Sequence, residues 1–295
     1  MFKKVMVIGL ALLIAGLILS KKRDDVTTVG IIQTASHPAL DQVREQFIQE
    51  LEKLSDNKVR FVVQNAEGSQ AEAHSIAQNF HSHAHIDALF AIGTPAVQAS
   101  ARKEKNKPIF IAAVSDPEPL QLGTNVCGTT DRVDTDAQVD LVLRLVPSVQ
   151  TVAILYNPEE TNSEASVARL KESIAKCQLK AVTVTARLES EVAQAAMLGC
   201  KKGDVLIVPT DNLIARAMSV VARQAALSKK PLFVSDILLV KHGALAGCGA
   251  SYSDLGKQSA RIAFQVLFEG ILPKTIGIQD PKSTSIVLNE ELGHE

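Results

Sequence analysis

Four times along this chain, a short apolar run leads through a polar loop towards a segment whose apolar residues are spaced as in a helix. The first copy runs from Val29 to Gln33, breaks at Thr34 to Pro38 and continues from Leu40 to Leu54. Buried strands that alternate with amphipathic helices are typical of a parallel α/β sheet. Ligands of such sheets bind at the carboxyl ends of the strands, where these polar loops lie. The other three apolar runs are Ala88–Ile92, Val152–Tyr156 and Val205–Val208.

The predicted elements fall into two halves with the same order of strands and helices. Each half reads strand, helix, strand, helix, strand, from Val26 in the first half and from Asp131 in the second. No low-complexity linker separates the halves, so several short chain crossings are expected between them. The fold class is therefore predicted to be α/β, with parallel sheets.

Length and charge limit the classes of function that suit this chain. Its 295 residues are enough for two ordinary domains, and 46% of them are hydrophobic, which is typical of a globular protein. The 31 basic and 32 acidic residues give a net charge of −1. Because no basic patch dominates, nucleic acid is not an expected partner.

The four cysteines, Cys127, Cys177, Cys200 and Cys248, form no Cys-x-x-Cys pair. Structural zinc and thioredoxin-like chemistry are therefore poorly supported. We expect buried free thiols that act as small apolar side chains. A disulfide such as Cys177–Cys200 is the alternative.

The amino terminus differs in character from the rest of the chain. Lys3 and Lys4 precede an uninterrupted apolar run from Val5 to Leu19, and basic residues from Lys21 to Arg23 follow it. As a helix this run would rise about 22 Å, which is less than the roughly 30 Å hydrocarbon core of a bilayer. We interpret residues 1–25 as an export signal peptide or a retained membrane anchor, with cleavage left open.

The chain lacks the common sequence signatures of catalytic and metal-binding sites. The sequence contains no nucleophile elbow, no phosphate-binding glycine loop and no paired zinc histidines, so an enzyme and a cofactor are not expected. His74, His81, His83 and His85 are interpreted as a solvated helix end and not as a metal site.

Polar residues at the strand ends are the better candidates for binding. The helix that starts at Thr94 and Pro95 could receive a carboxylate at its free N–H groups. Acids at strand ends could accept hydrogen bonds from an ammonium group, although each could instead be a helix cap or turn former. The candidate ligand-binding residues are Gln33, Thr34, His37, Asn65, Thr94, Pro95, Ser115, Asp116, Tyr156, Asn162, Ser163, Asp211, Asn212 and Asp236.

A set of short motifs extends from about Val29 to Pro273, nearly the whole chain after the leader. As a set they resemble the ABC-transporter substrate-binding proteins of the tryptophan-binding (TrpX-like) type. The motifs are Val29–Gln33 with His37-Pro38 and Leu40-Asp41, Gln64–Ala66, Ala91–Pro95 with Gln98, Val114–Pro117, Leu155–Pro158 with Glu160 and Asn162-Ser163, Pro209–Asn212, Val240 with Gly243-Ala244, and Tyr252 with Leu255-Gly256.

The resemblance implies a type I periplasmic-binding fold, in which two Rossmann-like lobes joined by three crossings close on a ligand. It further implies an extracytoplasmic or periplasmic monomer that carries an amino acid, aromatic in known members, to an ABC permease encoded elsewhere. Many members carry a lipobox cysteine after the leader. Here that cysteine is missing, so the mode of membrane retention stays open.

The three-crossing topology of that family predicts the lobe boundaries. Lobe one comprises residues 26–129 and 250–271, and lobe two comprises residues 130–249 and 272–295. Hinge segments are expected near Gly128, Gly249 and Pro273. Two other functions remain open, namely a membrane-anchored ligand sensor with the same fold and an enzyme that uses the cleft.

Overall fold

The computed structural model describes residues 26–282 and 284–291. The predicted leader, residues 1–25, lies outside this range. Within the described residues, no helix combines the length and apolar character needed to cross a membrane.

The first sheet has six strands in the order β11-β5-β4-β3-β1-β2. All its pairings are parallel, so the carboxyl ends of the strands meet at one edge. In chain order its strands and flanking helices are β1 Thr27–Gln33, α1 Pro38–Leu54, β2 Val59–Asn65, α2 Gln70–Ser82, β3 Ala88–Ile92, α3 Thr94–Lys103, β4 Ile109–Val114 and β5 Val126–Thr130, followed late in the chain by α9 Tyr252–Leu267, α10 Pro273–Ile276 and β11 Ile278–Gln279.

The second sheet repeats this plan with the order β12-β10-β9-β8-β6-β7. Its pairings are parallel except that β12 runs antiparallel to β10. In chain order its elements are α4 Thr135–Leu145, β6 Thr151–Tyr156, α5 Thr161–Lys176, β7 Lys180–Thr185, α6 Val192–Lys202, β8 Val205–Val208, α7 Asn212–Arg216, α8 Met218–Leu227, β9 Leu232–Val234, a 3-10 helix Ile237–His242, β10 Ala246–Ala250 and β12 Thr284–Leu288.

Each sheet is covered by helices on both faces, which explains why its central strands are apolar along their whole length. All five residues of β3 are buried, for example. Two apolar clusters pack against the first sheet and two against the second. In the first sheet Phe47 of α1 stacks on Phe90 of β3, with ring centroids 3.7 Å apart. The predicted α/β class with parallel sheets is therefore confirmed.

The chain passes between the sheets after β5, after β10 and between β11 and β12. Glycines lie where strands approach closely near the first two crossings. A Cβ at Gly128 would stand 2.1 Å from the carbonyl oxygen of Ile111, and one at Gly249 would stand 1.9 Å from that of Ser235. Both positions require glycine because there is no space for a Cβ atom, in addition to any need for a flexible backbone.

The tail was expected to belong wholly to lobe two, but its two strands divide between the sheets. β11 pairs with β5 of the first sheet, and Ile278 packs against an apolar cluster of that sheet. β12 pairs with β10 of the second sheet. Residues 278–279 thus form the edge of the first sheet and pair with the side of β5 that faces away from β4. The predicted lobe boundaries otherwise stay a prediction.

All four cysteines are free thiols. Cys127, Cys200 and Cys248 are buried as expected, and burial raises the pKa of Cys127 to about 12. Cys177 is exposed, contrary to the expectation of a buried thiol. It follows the last residue of α5, where the helix end faces solvent, and the alternative disulfide is not formed.

Candidate ligand-binding site between the lobes

A narrow cavity of about 20 Å³, partly open to solvent, lies between the carboxyl ends of the two sheets. We call it the interlobe cavity. Its lining is polar on several sides and apolar at Leu40, Pro209 and Leu239. The remaining lining residues are His37, Thr94, Ala113, Asp131, Asn162, Thr210, Asp211, Asn212, Ala215, Asp236 and Tyr252.

Unpaired polar atoms are concentrated at this cavity. Among the described residues, six buried side-chain nitrogen or oxygen atoms have no hydrogen-bond partner, and five of the six belong to cavity-lining residues. Buried polar atoms are otherwise almost always paired, so this concentration distinguishes the cavity from the rest of the described structure. The five atoms are His37 Nδ1, Thr94 Oγ1, Asn162 Oδ1, Thr210 Oγ1 and Asp236 Oδ2.

Asp236 follows β9 and begins the 3-10 helix of the second lobe. Its Oδ1 accepts a hydrogen bond from the backbone N–H of Leu238 at 2.9 Å, whereas its Oδ2 has no partner. Burial, and second the nearby charge of Asp131, raise the pKa of the Asp236 carboxyl to about 7. A half-satisfied, buried carboxylate of this kind gains most from a cationic partner.

Asp131 stands at the first chain crossing and is also buried in the cavity wall. Its Oδ1 accepts from the Ser115 hydroxyl at 2.8 Å, and its Oδ2 accepts from the Tyr252 hydroxyl at 3.2 Å. Burial raises the pKa of Asp131, and burial together with the acid charges of Asp131 and Asp236 raises the pKa of Tyr252. Sequence reasoning omitted Asp131 because it was assigned to the lobe boundary, although it follows a strand end as the other candidates do.

Asp211 looks similar to Asp236 in the sequence but has a different environment. Its carboxylate accepts from the backbone N–H groups of Asn157 at 2.6 Å and Ile214 at 2.8 Å, and from the Ser163 hydroxyl at 2.7 Å. Burial, and second the charge of Glu160, raise the pKa of Asp211 to about 7. Both oxygens are occupied, so Asp211 fixes the loops around the cavity.

Asn162 lies in the first turn of α5, and a hydrogen bond to the loop after β8 fixes its side chain. Its Nδ2 donates to the carbonyl oxygen of Thr210 at 3.1 Å, which leaves Oδ1 without a partner. The neighbouring Glu160 carboxylate accepts from the backbone N–H groups of Asn212 and Leu213, at 3.1 and 3.0 Å. The amide of Asn162 therefore presents an acceptor to the cavity.

His37 of the first lobe meets Asn212 of the second lobe. Its Nε2 lies 3.3 Å from Asn212 Oδ1, and Asn212 Nδ2 donates to Glu160. Burial lowers the pKa of His37, so the ring is neutral near pH 7. Since Nε2 then carries the proton for Asn212, Nδ1 is an acceptor.

The remaining candidates lie outside the interlobe cavity, and most satisfy local structure. Gln33 bonds to Asp41 and Arg44, and Thr34 accepts from Ala96 N–H and donates to the carbonyl oxygen of Ile92. Three of the others are placed as follows: Asn65 bonds to Ser36 and to the Glu67 N–H, Tyr156 is buried in the second-lobe core, and Asp116 lies 3.8–3.9 Å from Arg132 and Arg169. Pro95 and Thr34 line a wider opening of about 640 Å³, here named the vestibule, which shares Asn212 with the interlobe cavity.

Ala113 in the cavity wall has a left-handed backbone, with φ of 57°. The pairing of β4 with β5 shifts register between Ile111 and Val114, which spans this residue. Positive φ in a non-glycine residue is strained and is typical of functional sites. Ala113 thus lies both at the irregularity in β4 and in the wall of the interlobe cavity.

Replacing Ala113 with Gly is expected to raise the free energy of unfolding of the ligand-free protein by about 1 kcal/mol, because glycine adopts positive φ without steric cost. Urea denaturation measures the change. Ala112→Gly is the matched control, since Ala112 is equally buried but has an ordinary φ, and it should lose stability. An equal loss in both variants would contradict the strain at Ala113.

The two lobes touch each other across the cleft. In addition to the His37–Asn212 contact, Gln98 Nε2 donates to the Thr161 hydroxyl at 3.3 Å. Leu238 of the second lobe packs against the apolar cluster of the first lobe that contains α1 and α9. The arrangement described is thus a closed one.

A protein-family model for ABC transporter substrate-binding proteins matches residues 28–295. The chain belongs to this family. A tyrosine-binding protein of Clostridioides difficile is 36% identical over 283 residues, which cover 92% of this chain and 80% of that protein. The family predicted from the motifs is confirmed, and so is the type I periplasmic-binding architecture.

Two solved structures of this type differ in how closely they match. An ABC domain from Streptococcus pneumoniae in complex with L-Trp has a TM-score of 0.87 at 28% identity, over 91% of this chain and 94% of that one. The ligand-free, open structure of a substrate-binding protein with adhesive properties from Clostridium difficile has a TM-score of 0.69 at 36% identity, over 90% and 93%. The nearer sequence is the poorer structural match, which agrees with a closed arrangement of the lobes here.

Proposed function

We propose that this protein is the extracytoplasmic solute-binding component of an ABC importer and that it binds an amino acid, most suitably an aromatic one, in the interlobe cavity. The observation that carries this proposal is the set of five unpaired polar atoms. His37 Nδ1, Asn162 Oδ1 and Asp236 Oδ2 are acceptors, which suit the three N–H donors of an ammonium group. The hydroxyls of Thr94 and Thr210 can donate to a carboxylate.

The apolar part of the cavity wall suits the side chain of such a ligand, and the walls would have to move apart to admit it. Leu40, Pro209 and Leu239 supply aliphatic surface, and the ring of Tyr252 adds an aromatic face. A few placed polar groups within an apolar pocket are the usual design of a small-molecule site. The tyrosine-binding relative and the L-Trp complex support an aromatic side chain.

Ligand binding would lead to transport through a change in the arrangement of the two lobes. Closure of the two lobes on the ligand would create the form that docks on a permease, and the ligand would shift the balance towards that form. The protein would act as a monomer outside the cytoplasmic membrane, with residues 1–25 removed or kept as an anchor. The alternative of a membrane-anchored sensor uses the same site and differs in what the leader does.

Isothermal titration calorimetry with L-Tyr, L-Trp and L-Phe tests the proposal. Tyramine, which lacks the carboxylate, and 3-phenylpropionate, which lacks the ammonium, are the matched control ligands. We expect binding of at least one aromatic amino acid and of neither control. Binding of a sugar or a polyol in place of every amino acid would overturn the ligand class and leave the fold intact.

The affinity for the amino acid should fall as the pH drops. Asp236 has a pKa of about 7 in the ligand-free protein, so below pH 7 most molecules carry a proton that must leave before an ammonium binds. The affinity should decrease by about 15-fold between pH 7 and pH 5.5, because the ionised fraction of Asp236 falls by that factor. Burial also raises the pKa of Asp131, which acts in the same direction, and burial lowers the pKa of His37, which opposes protonation of that ring.

Calorimetry at a series of pH values measures this dependence, and buffers of different ionisation enthalpy report the proton that is released. A flat profile would contradict the ammonium–carboxylate pairing at Asp236.

A further inference from the structure

Two arginines of the second lobe reach backbone carbonyl groups of the first lobe. Arg216, the last residue of α7, donates through Nη1 to the carbonyl oxygen of Glu67 at 3.1 Å. Its Nη2 is held within the second lobe by the Glu189 carboxylate at 3.3 Å. The guanidinium is therefore held by the second lobe through Nη2 and contacts the first lobe across the vestibule through Nη1.

The first lobe provides room for this guanidinium. A Cβ at Gly68 would stand 2.6 Å from Arg216 Nη1, and Gly68 has a φ of 78°. The turn at Glu67 and Gly68 thus presents a carbonyl oxygen with no side chain in front of it. This gap accepts the arginine only when the lobes are together.

Arg169 of α5 makes the second such contact. Its Nη2 donates to the carbonyl oxygen of Ser115 at 3.3 Å, and its Nη1 lies 3.8 Å from the Asp116 carboxylate. The hydroxyl of Ser115 donates to Asp131, which lines the interlobe cavity. Arg169 therefore binds the loop after β4 from the opposite lobe.

The two contacts lie apart along the edge of the first sheet. The strand order β5-β4-β3-β1-β2 places β3 and β1 between the loops after β4 and β2, which carry the two acceptors. Neither arginine lines the interlobe cavity. Both acceptors are carbonyl groups, so neither contact depends on the titration of an acid.

We propose that Arg169 and Arg216 are interlobe latches that set ligand affinity by populating the closed arrangement, without contacting the ligand. This inference rests on the proposed function. A solute receptor holds its ligand in the closed arrangement, so its apparent affinity falls as the fraction of open molecules rises. The apparent dissociation constant equals the intrinsic constant divided by the closed fraction. A contact that favours closure therefore tightens binding from outside the site.

Small-angle X-ray scattering of the purified ligand-free protein tests the latches directly. We expect Arg216→Met and Arg169→Met each to raise the ligand-free radius of gyration, and the double variant to raise it most. L-Tyr and L-Trp are the probes for affinity. Each single variant should bind the recognised amino acid about five- to tenfold more weakly, chiefly through a faster dissociation rate.

Arg144→Met is the matched control, because Arg144 pairs with Asp140 within the same helix and spans no gap. It should change neither scattering nor affinity. An unchanged ligand-free radius of gyration in the double variant overturns the latches, whatever happens to affinity. If neither amino acid binds, the proposed ligand fails but the scattering comparison still decides about the latches. Arg216→Lys, which keeps a donor of shorter reach, should lie between the wild type and Arg216→Met.

Discussion

Asp236→Asn is expected to weaken amino-acid binding by about 100-fold (~3 kcal/mol), because it removes the charge that would pair with the ammonium group. The substitution keeps the shape of the side chain and its helix cap, since an asparagine oxygen can accept from the Leu238 N–H as Oδ1 does. Calorimetry with L-Tyr and L-Trp at pH 8 measures the loss.

The same variant should be more stable than the wild type when no ligand is present. Burial raises the pKa of Asp236 to about 7, so the folded protein keeps a proton that the unfolded chain releases between about pH 4 and 7. Stability from this group is therefore lost as the pH rises through 7. Asparagine carries no charge, so its advantage should reach about 2–4 kcal/mol at pH 8 and shrink towards pH 5.

Asp236→Asn is expected to weaken ligand binding and to raise the stability of the ligand-free protein. This combination distinguishes the loss of a ligand contact from damage to the fold. A substitution that merely damaged the fold would lower both the affinity and the melting temperature. A variant with wild-type affinity would remove Asp236 from the ligand-binding site.

The fold could be predicted from the sequence because local and tertiary signals agree. The apolar spacing from Leu40 to Leu54 predicts α1, which the structure shows from Pro38 to Leu54. Uniformly apolar runs such as Ala88–Ile92 predict buried parallel strands, and β3 is one. The pairing of β11 with β5 could not be predicted in this way, because two residues carry too little pattern to assign them to a sheet.

The candidate site was predictable as a region and not residue by residue. Strand-end loops do supply its lining, as His37, Thr94 and Asn162 show. Yet Gln33 also follows a strand, and its amide is consumed by Asp41 and Arg44. A polar side chain is available to a ligand only if neighbouring residues have not already taken up its hydrogen-bonding groups. The number of such hydrogen bonds depends on the tertiary structure and cannot be read from the sequence. Asp131 was missed for a related reason, since its place in the cavity results from the chain crossing.

Asp211→Asn is expected to cost stability, in contrast to Asp236→Asn. Asp211 Oδ1 accepts from the Ile214 N–H, and Oδ2 accepts from the Asn157 N–H and the Ser163 hydroxyl. An amide can offer an acceptor on one side only, so its NH₂ group would face a buried N–H donor at whichever oxygen it replaces. Stranding such a donor should lower the free energy of unfolding by about 2–4 kcal/mol.

Urea denaturation of the ligand-free protein measures this loss, with Asp236→Asn as the matched control for removing a buried acid whose pKa is also about 7. At pH 8 the control should be stabilised while Asp211→Asn is destabilised. The difference from the wild type should shrink at pH 5, because a wild-type carboxyl with a pKa of about 7 then carries a proton and also has one acceptor fewer. If both variants were stabilised alike, the removal of charge would outweigh the lost acceptor, and Asp211 would regain its place beside Asp236 as a candidate partner for the ammonium group.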